Sequence, residues 1–169
     1  INLGKRRLLM SRHNACVEEL EFAEVETFIA SGNVLFTSKQ TKIGRLESQI
    51  ARHLEASLGY VVDTFVRTAE EVAAIAHAKI FPEEGKEGIT IHVGFMHEPL
   101  APAVARKFAA VRTREDELRV KGREYFWLCR VRTNESKVWT LPEMKALRLP
   151  SSSMRNLTSI RKLVAKHLA

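Results

Sequence analysis

Thr27-Phe28-Ile29-Ala30-Ser31-Gly32-Asn33-Val34-Leu35-Phe36-Thr37-Ser38 sets a Ser-Gly-Asn turn between two runs rich in β-branched and aromatic residues. Gly and Asn accept the positive φ of a tight turn, so the stretch predicts a β-hairpin with strands near 24–29 and 33–37. Upstream, Ile1 to Leu3 read as the end of a strand, and the native start is expected to lie before Ile1. Gly4-Lys5-Arg6-Arg7 is a turn, and Leu9, Cys16, Val17 and Leu20 give a helix over 10–21. Downstream, Ile43, Leu46, Ile50, Leu54 and Leu58 recur at steps of three and four, and Gly59 stands where a helix-ending glycine belongs. Tyr60 to Val66 is then β-rich. The order strand, helix, strand, strand, helix, strand is that of a ferredoxin-like sandwich whose first strand is truncated.

The order of elements then repeats. Thr68-Ala69-Glu70-Glu71 is a capping box opening a short helix that ends near His77. Phe81 to Gly88 is a breaker-rich connection. Ile89 to Met96 predicts a strand, and Pro99 and Pro102 introduce a helix to about Val111. Glu117 to Lys121 and Glu124 to Val131 pair around Gly122. A helix near 142–147 follows, and a last one runs from about Ser159 to Leu168, with Thr158 as its expected cap and Arg155 and Asn156 in the loop before it. The fold class is therefore α+β, as two ferredoxin-like antiparallel sandwich units. Their expected boundaries are 1–68 and 69–169, the second including the C-terminal helix.

Charge divides the chain as sharply. Residues 1–101 hold 11 Lys/Arg against 14 Asp/Glu, whereas residues 102–169 hold 16 against 6, a net of −3 and of +10. Such an imbalance suits a face turned toward an anionic partner, although a solvated basic surface gives the same count. Two cysteines, Cys16 and Cys129, make no disulfide framework and suit buried thiols in a reducing, cytoplasmic setting. No apolar run is long enough to span a membrane and no leader is visible. The six histidines show no metal-ligand spacing, and no motif calls for a cofactor. Oligomeric state is not legible.

Two functional readings follow. The first is a polyanion-binding module, with nucleic acid as the partner and Arg119, Lys121, Arg123, Arg130 and Arg132 on the basic hairpin as its candidates. Lys121-Gly122-Arg123-Glu124-Tyr125-Phe126 matches part of an RNA-recognition signature, but Arg123 stands where an aromatic is needed. A hairpin with Tyr125 and Trp127 in the core is the alternative. Period-two alternation puts Arg119 and Lys121 on one face and Leu118 and Val120 on the other, without saying which of these Tyr125 and Trp127 share.

The second reading is an enzyme or binding protein for a small phosphorylated or carboxylated metabolite. Its anion-holding candidates are Asn2, Gly4, Ser31, Gly32, Asn33, Arg67, Arg155, Asn156 and Lys162. Turn amides and arginine forks grip such groups, though a tight turn alone also explains Ser31-Gly32-Asn33. No catalytic residue is named. Adjacent Ser136 and Lys137 on a loop are not expected to act as a nucleophile pair, because the amine must reach the hydroxyl and be desolvated.

Ile1-Asn2-Leu3-Gly4, the Ser-Gly-Asn hairpin, and Arg155-Asn156-Leu157-Thr158 with Lys162-Leu163 resemble, in this order, the bacterial "domain of unknown function 1697" family. The resemblance implies two ferredoxin-like halves and no established activity. The family favours a Ser-Lys where this chain has Ser136-Lys137. The chain departs from the family at Lys5, where a second glycine is usual, and before Ile1, where an arginine-glycine pair is usual. It also departs at Met154 and Leu157, where a threonine and a tryptophan are typical.

Overall fold

A computed structural model describes residues 23–28, 33–37 and 42–168. The expected strand end at Ile1–Leu3, the helix over 10–21 and the Ser31-Gly32 turn lie outside those residues. The chain divides into two compact units, Ile1–Arg67 and Thr68–Ala169.

In the first unit, β1 (Ala23–Phe28) and β2 (Asn33–Thr37) pair antiparallel, with Phe28 opposite Asn33. Helix α1 (Ile43–Leu58) buries the apolar stripe Leu46, Ile50 and Leu54 and ends on Gly59, whose φ of 78° is open to glycine at no steric cost. Residues 60–66 differ from expectation, since they pair with no strand among the described residues. Their alternation survives, because Val62, Thr64 and Val66 are buried, Val62 and Val66 against the apolar stripe of α1. Glu47 of α1 accepts the Val66 N–H at 2.7 Å, and the Thr64 hydroxyl donates to the Val62 carbonyl at 3.2 Å. A buried carboxylate here satisfies the backbone donor that a neighbouring strand would otherwise take.

The second unit opens with α2 (Ala69–His77). Its capping box is complete: Thr68 Oγ1 accepts the Glu71 N–H at 3.1 Å and Glu71 accepts the Thr68 N–H at 3.3 Å. Strand β3 (Thr90–Phe95), helix α3 (Pro102–Ala110), β4 (Asp116–Lys121), β5 (Glu124–Cys129), a 3-10 turn (Val138–Thr140), α4 (Pro142–Ala146), β6 (Ser153–Asn156) and α5 (Leu157–Leu163) follow. The four strands form one antiparallel sheet in the order β4-β5-β3-β6. The architecture is mixed α+β, and among the described residues no helix is long and apolar enough to cross a membrane.

Register settles which residues share a face. Leu118 lies opposite Trp127 and Val120 opposite Tyr125, so both aromatics join the apolar side of β4, away from Arg119 and Lys121. That side is closed by α3, the 3-10 turn and α4 through Phe108, Val111, Val138 and Met144. Val93, Phe126 and Leu128 are buried on the other side, where α5 packs against β3 and β6, α2 packs against α5, and Arg119 sits 5.4 Å over the Phe81 ring. A sheet covered on both sides offers no open aromatic platform.

The C-terminus corrects two expectations. Arg155 and Asn156 are the end of β6, not loop residues, and the cap of α5 is Asn156 rather than Thr158. The Asn156 side-chain oxygen accepts the Thr158 N–H at 2.8 Å. Leu157, 2% exposed, starts the helix because burying it places Asn156 at the boundary, where an asparagine oxygen serves a first-turn donor. Asn156→Ala is expected to cost about 1 kcal/mol and Thr158→Ala less than about 0.5 kcal/mol, as read by urea unfolding. The reverse order would restore Thr158 as the cap.

Candidate functional site

The hairpin β4–β5 carries most of the expected nucleic-acid residues, and its arginines are spoken for. Arg130 Nη2 lies 2.6 Å from Glu117 and 3.1 Å from Glu83. The hydrogen bond from Arg130 holds the Glu117 carboxyl below the usual carboxylate range, and Glu117 in turn raises Arg130. Arg119 approaches the same carboxylate at 3.6 Å, and Arg123 pairs with Glu71 at 3.0 Å. Only Lys121 and Arg132 of that set are exposed and without an ion pair among the described residues. Three of the five are thus paired, and Arg123 and Arg130 tie the sheet to α2 and to the connection after it.

The small-anion set fares differently. Asn2, Gly4, Ser31 and Gly32 lie outside the described residues. Asn33 starts β2. Arg67, with its side chain 4% exposed, donates to the Val66 carbonyl at 2.9 Å and lies 3.9 Å from Glu47, so its charge is compensated within the first unit. Arg155 stands in β6 opposite Val93 and donates to the Met154 carbonyl at 3.0 Å; burial lowers its pKa. Asn156 spends its oxygen on the helix cap, and Lys162 is exposed on α5. Of the positions that depart from the family pattern, Met154 packs beside the aromatic cluster and Leu157 is core.

Two features escaped the sequence reading. The first is a buried polar network. Asp116, 1% exposed, accepts from Thr113 Oγ1 at 2.6 Å, Trp127 Nε1 at 2.7 Å and Ser136 Oγ at 2.8 Å. Ser136 also accepts the Val138 N–H at 3.3 Å, which makes it a loop anchor. Cys129 lies opposite Asp116 across the β4–β5 ladder; burial pushes its thiol up, and Sγ donates to the Val131 carbonyl at 3.1 Å. The signal was present in the alternation Asp116, Leu118, Val120, which places the carboxylate on the apolar face. The neighbouring Glu115 and Glu117 disguised it as part of a solvated charge run.

The second is the helical layer over that face. On its solvent side α3 exposes Arg106 and Lys107, and the segment 131–149 exposes Arg132, Lys137, Lys145 and Arg148. No ion pair involves any of these six among the described residues. Helix α3 carries no acidic residue, and the 131–149 segment carries two, Glu135 and Glu143. Trp139 ties the two segments together, 6.1 Å from the Phe108 ring of α3 and 5.6 Å from Trp127. Arg148 holds a φ of 47°, an unusual conformation for a side chain other than glycine.

One titration follows from the sheet. His92 stacks on Trp127 at 5.0 Å, its buried Nδ1 has no hydrogen-bond partner, and desolvation lowers its pKa. The unfolded chain therefore binds the proton more readily, and stability is lost as pH falls below the ordinary histidine value of about 6.5. Urea midpoints at pH 7.5 and pH 5 are expected to fall less for His92→Phe, which keeps the ring stack, than for the native chain. Equal losses in both would exclude His92 as the source.

Comparison with known proteins places this architecture. No curated protein matches. The structure of a conserved bacterial protein, SP0830 from Streptococcus pneumoniae, superposes with a TM-score of 0.69 over 96% of this chain and 91% of that one at 18% identity, a likeness of fold. The family model described as protein of unknown function (DUF1697) matches residues 1–126, the whole first unit and the second as far as β5. The chain belongs to the DUF1697 family.

Proposed function

We propose that this protein binds a polyanion, nucleic acid in the first instance, on the solvent side of the α3/α4 layer. The observation that carries the reading is the sorting of charge. Arg119, Arg123 and Arg130 on the β4–β5 hairpin are paired with Glu71, Glu83 and Glu117, while Arg106, Lys107, Arg132, Lys137, Lys145 and Arg148 are exposed and, among the described residues, unpaired on one layer; Lys79, Lys86, Arg114, Lys121 and Lys162 are likewise exposed and unpaired on other segments. Unpaired surface cations release counterions from a phosphate backbone; paired ones have little left to give. A ferredoxin-like reading of the second unit goes with this proposal. The sequence β3-α3-β4-β5-α4-β6 with strand order β4-β5-β3-β6 follows that plan, and the two helices of the plan, α3 and α4, form the layer that carries these cations. The described part of the first unit, β1, β2 and α1, is a hairpin followed by a helix and carries no such reading by itself. A cytoplasmic setting fits a free buried Cys129.

The test is binding of labelled nucleic acid by the full chain at several salt concentrations. Each phosphate contact contributes about 0.9 to the slope of log affinity against log salt for duplex DNA. Replacing Arg106, Lys107, Lys145 and Arg148 together by glutamine should therefore flatten the slope by about 3.6 if each makes one contact. Unchanged affinity in that variant, or no binding by the native chain at 50 mM salt, would end the proposal.

Arg148→Gly adds a control with opposite signs. Left-handed backbone costs a non-glycine residue about 1–2 kcal/mol, partly offset by glycine's larger unfolded-state entropy. The variant is expected to gain up to about 1 kcal/mol in stability while binding more weakly. A loss in both would mark Arg148 as structural.

A further inference from the structure

We infer that the α3/α4 layer takes double-stranded rather than single-stranded nucleic acid, an inference that rests on the polyanion reading above. Binding to single strands depends on aromatic side chains on which successive bases stack. In the second unit no Phe, Tyr or Trp among the described residues is exposed. The layer spends its rings internally: Phe108 meets Tyr125 edge-on at 5.4 Å, and Trp139 packs on Tyr125 at 5.5 Å and on Trp127 at 5.6 Å. What remains at the surface is a set of cations on short elements anchored by the buried Phe108, Val138 and Met144. Such a surface offers charge to phosphates and no ring on which a base can stack.

With phosphate contacts alone, affinity follows the charge density of the ligand. A duplex presents one charge per about 1.7 Å of axis, a single strand one per about 3.4 Å. The salt slopes differ accordingly, about 0.9 against about 0.7 per contact. For four contacts that is a slope difference of about 0.8, which at 50 mM salt amounts to about tenfold in favour of the duplex. On this reading Arg106, Arg132 and Arg148 engage phosphates and not base edges, so no sequence preference is expected.

Fluorescence anisotropy of the full chain decides it, with a labelled 20-base-pair DNA duplex and one of its strands, each in two unrelated sequences, at 50 and 200 mM salt. The expected result is about tenfold tighter duplex binding at 50 mM, a steeper duplex slope, and equal affinity for the two sequences. Single strands bound as tightly as duplex, or tighter, would overturn the inference and leave the polyanion reading standing. A difference of more than about tenfold between the duplex sequences would overturn the backbone-only reading, because that exceeds what indifference to bases allows. Binding of neither ligand would overturn both.

Discussion

Replacing Asp116 with alanine is expected to lower the stability of the second unit by about 3–5 kcal/mol. The carboxylate is 1% exposed and accepts three hydrogen bonds, from Thr113, Trp127 and Ser136. A hydrogen bond to a charged group is worth about 1.5–3 kcal/mol, and a buried donor left unsatisfied adds its own desolvation cost. The three losses do not simply add. Thr113 and Ser136 are only half-buried and can turn to water, whereas the Trp127 indole N–H lies in the core and cannot. Asp116→Asn should cost about half as much, since one amide oxygen can still accept from Trp127 while the amide nitrogen meets the Thr113 hydroxyl, a rotor that can reverse its role. Both tryptophans lie in the second unit, so fluorescence-detected urea unfolding reads that unit directly. A loss under about 1 kcal/mol for the alanine variant would mean that Asp116 is no keystone, because so deep a carboxylate with real partners cannot be removed that cheaply.

Asp116 also shows how far the sequence carries. Periodicity located the elements: the stripe ending at Gly59, the Thr68–Glu71 capping box and the β4–β5 hairpin all stand where spacing puts them, since each rests on contacts a few residues apart. Readings failed where a distant group took over a local role. Val66 gives its N–H to Glu47, nineteen positions back, in a β-rich run that pairs with no strand among the described residues. The helix cap moved from Thr158 to Asn156 because burial of Leu157 set the boundary. Charge count located the basic half, but counting could not separate paired from unpaired cations. Arg119, Arg123 and Arg130 lie on a strand hairpin in sequence as plainly as on any binding surface; their glutamates come from α2, from the connection after it and from β4. The cations of the α3/α4 layer could be grouped only once register showed which sheet face those helices cover.

Gly94→Ala is the second large effect, at about 3 kcal/mol of lost stability. Gly94 lies opposite Tyr125 in the β3–β5 ladder, and the tyrosine ring rests on its backbone. A Cβ there would stand 2.0 Å from Tyr125 Cζ and 2.1 Å from Cε1, well inside contact distance. The ring has little room to yield. It packs against Phe108 at 5.4 Å and Trp139 at 5.5 Å, and its hydroxyl meets Ser152 Oγ at 3.0 Å. Burial raises the pKa of that hydroxyl, which stays protonated and able to donate. Overpacking of a well-filled core costs about 1–3 kcal/mol, and the upper end applies because the obstacle is a ring held from three sides. The cause can be isolated by a double-mutant cycle. Tyr125→Ala alone should cost about 3–5 kcal/mol through lost burial and the cavity it leaves. Adding Gly94→Ala to that background should cost almost nothing, since the new methyl then enters the space the ring vacated. Strict additivity of the two substitutions would show that Gly94 is required for its backbone and not for the ring above it. The ring joins the sheet to Phe108 of α3 and to Trp139 beside α4. On the polyanion reading proposed above, Gly94→Ala should also weaken that binding at temperatures where the unit is still folded, by shifting the layer that holds Arg106, Lys107, Lys145 and Arg148.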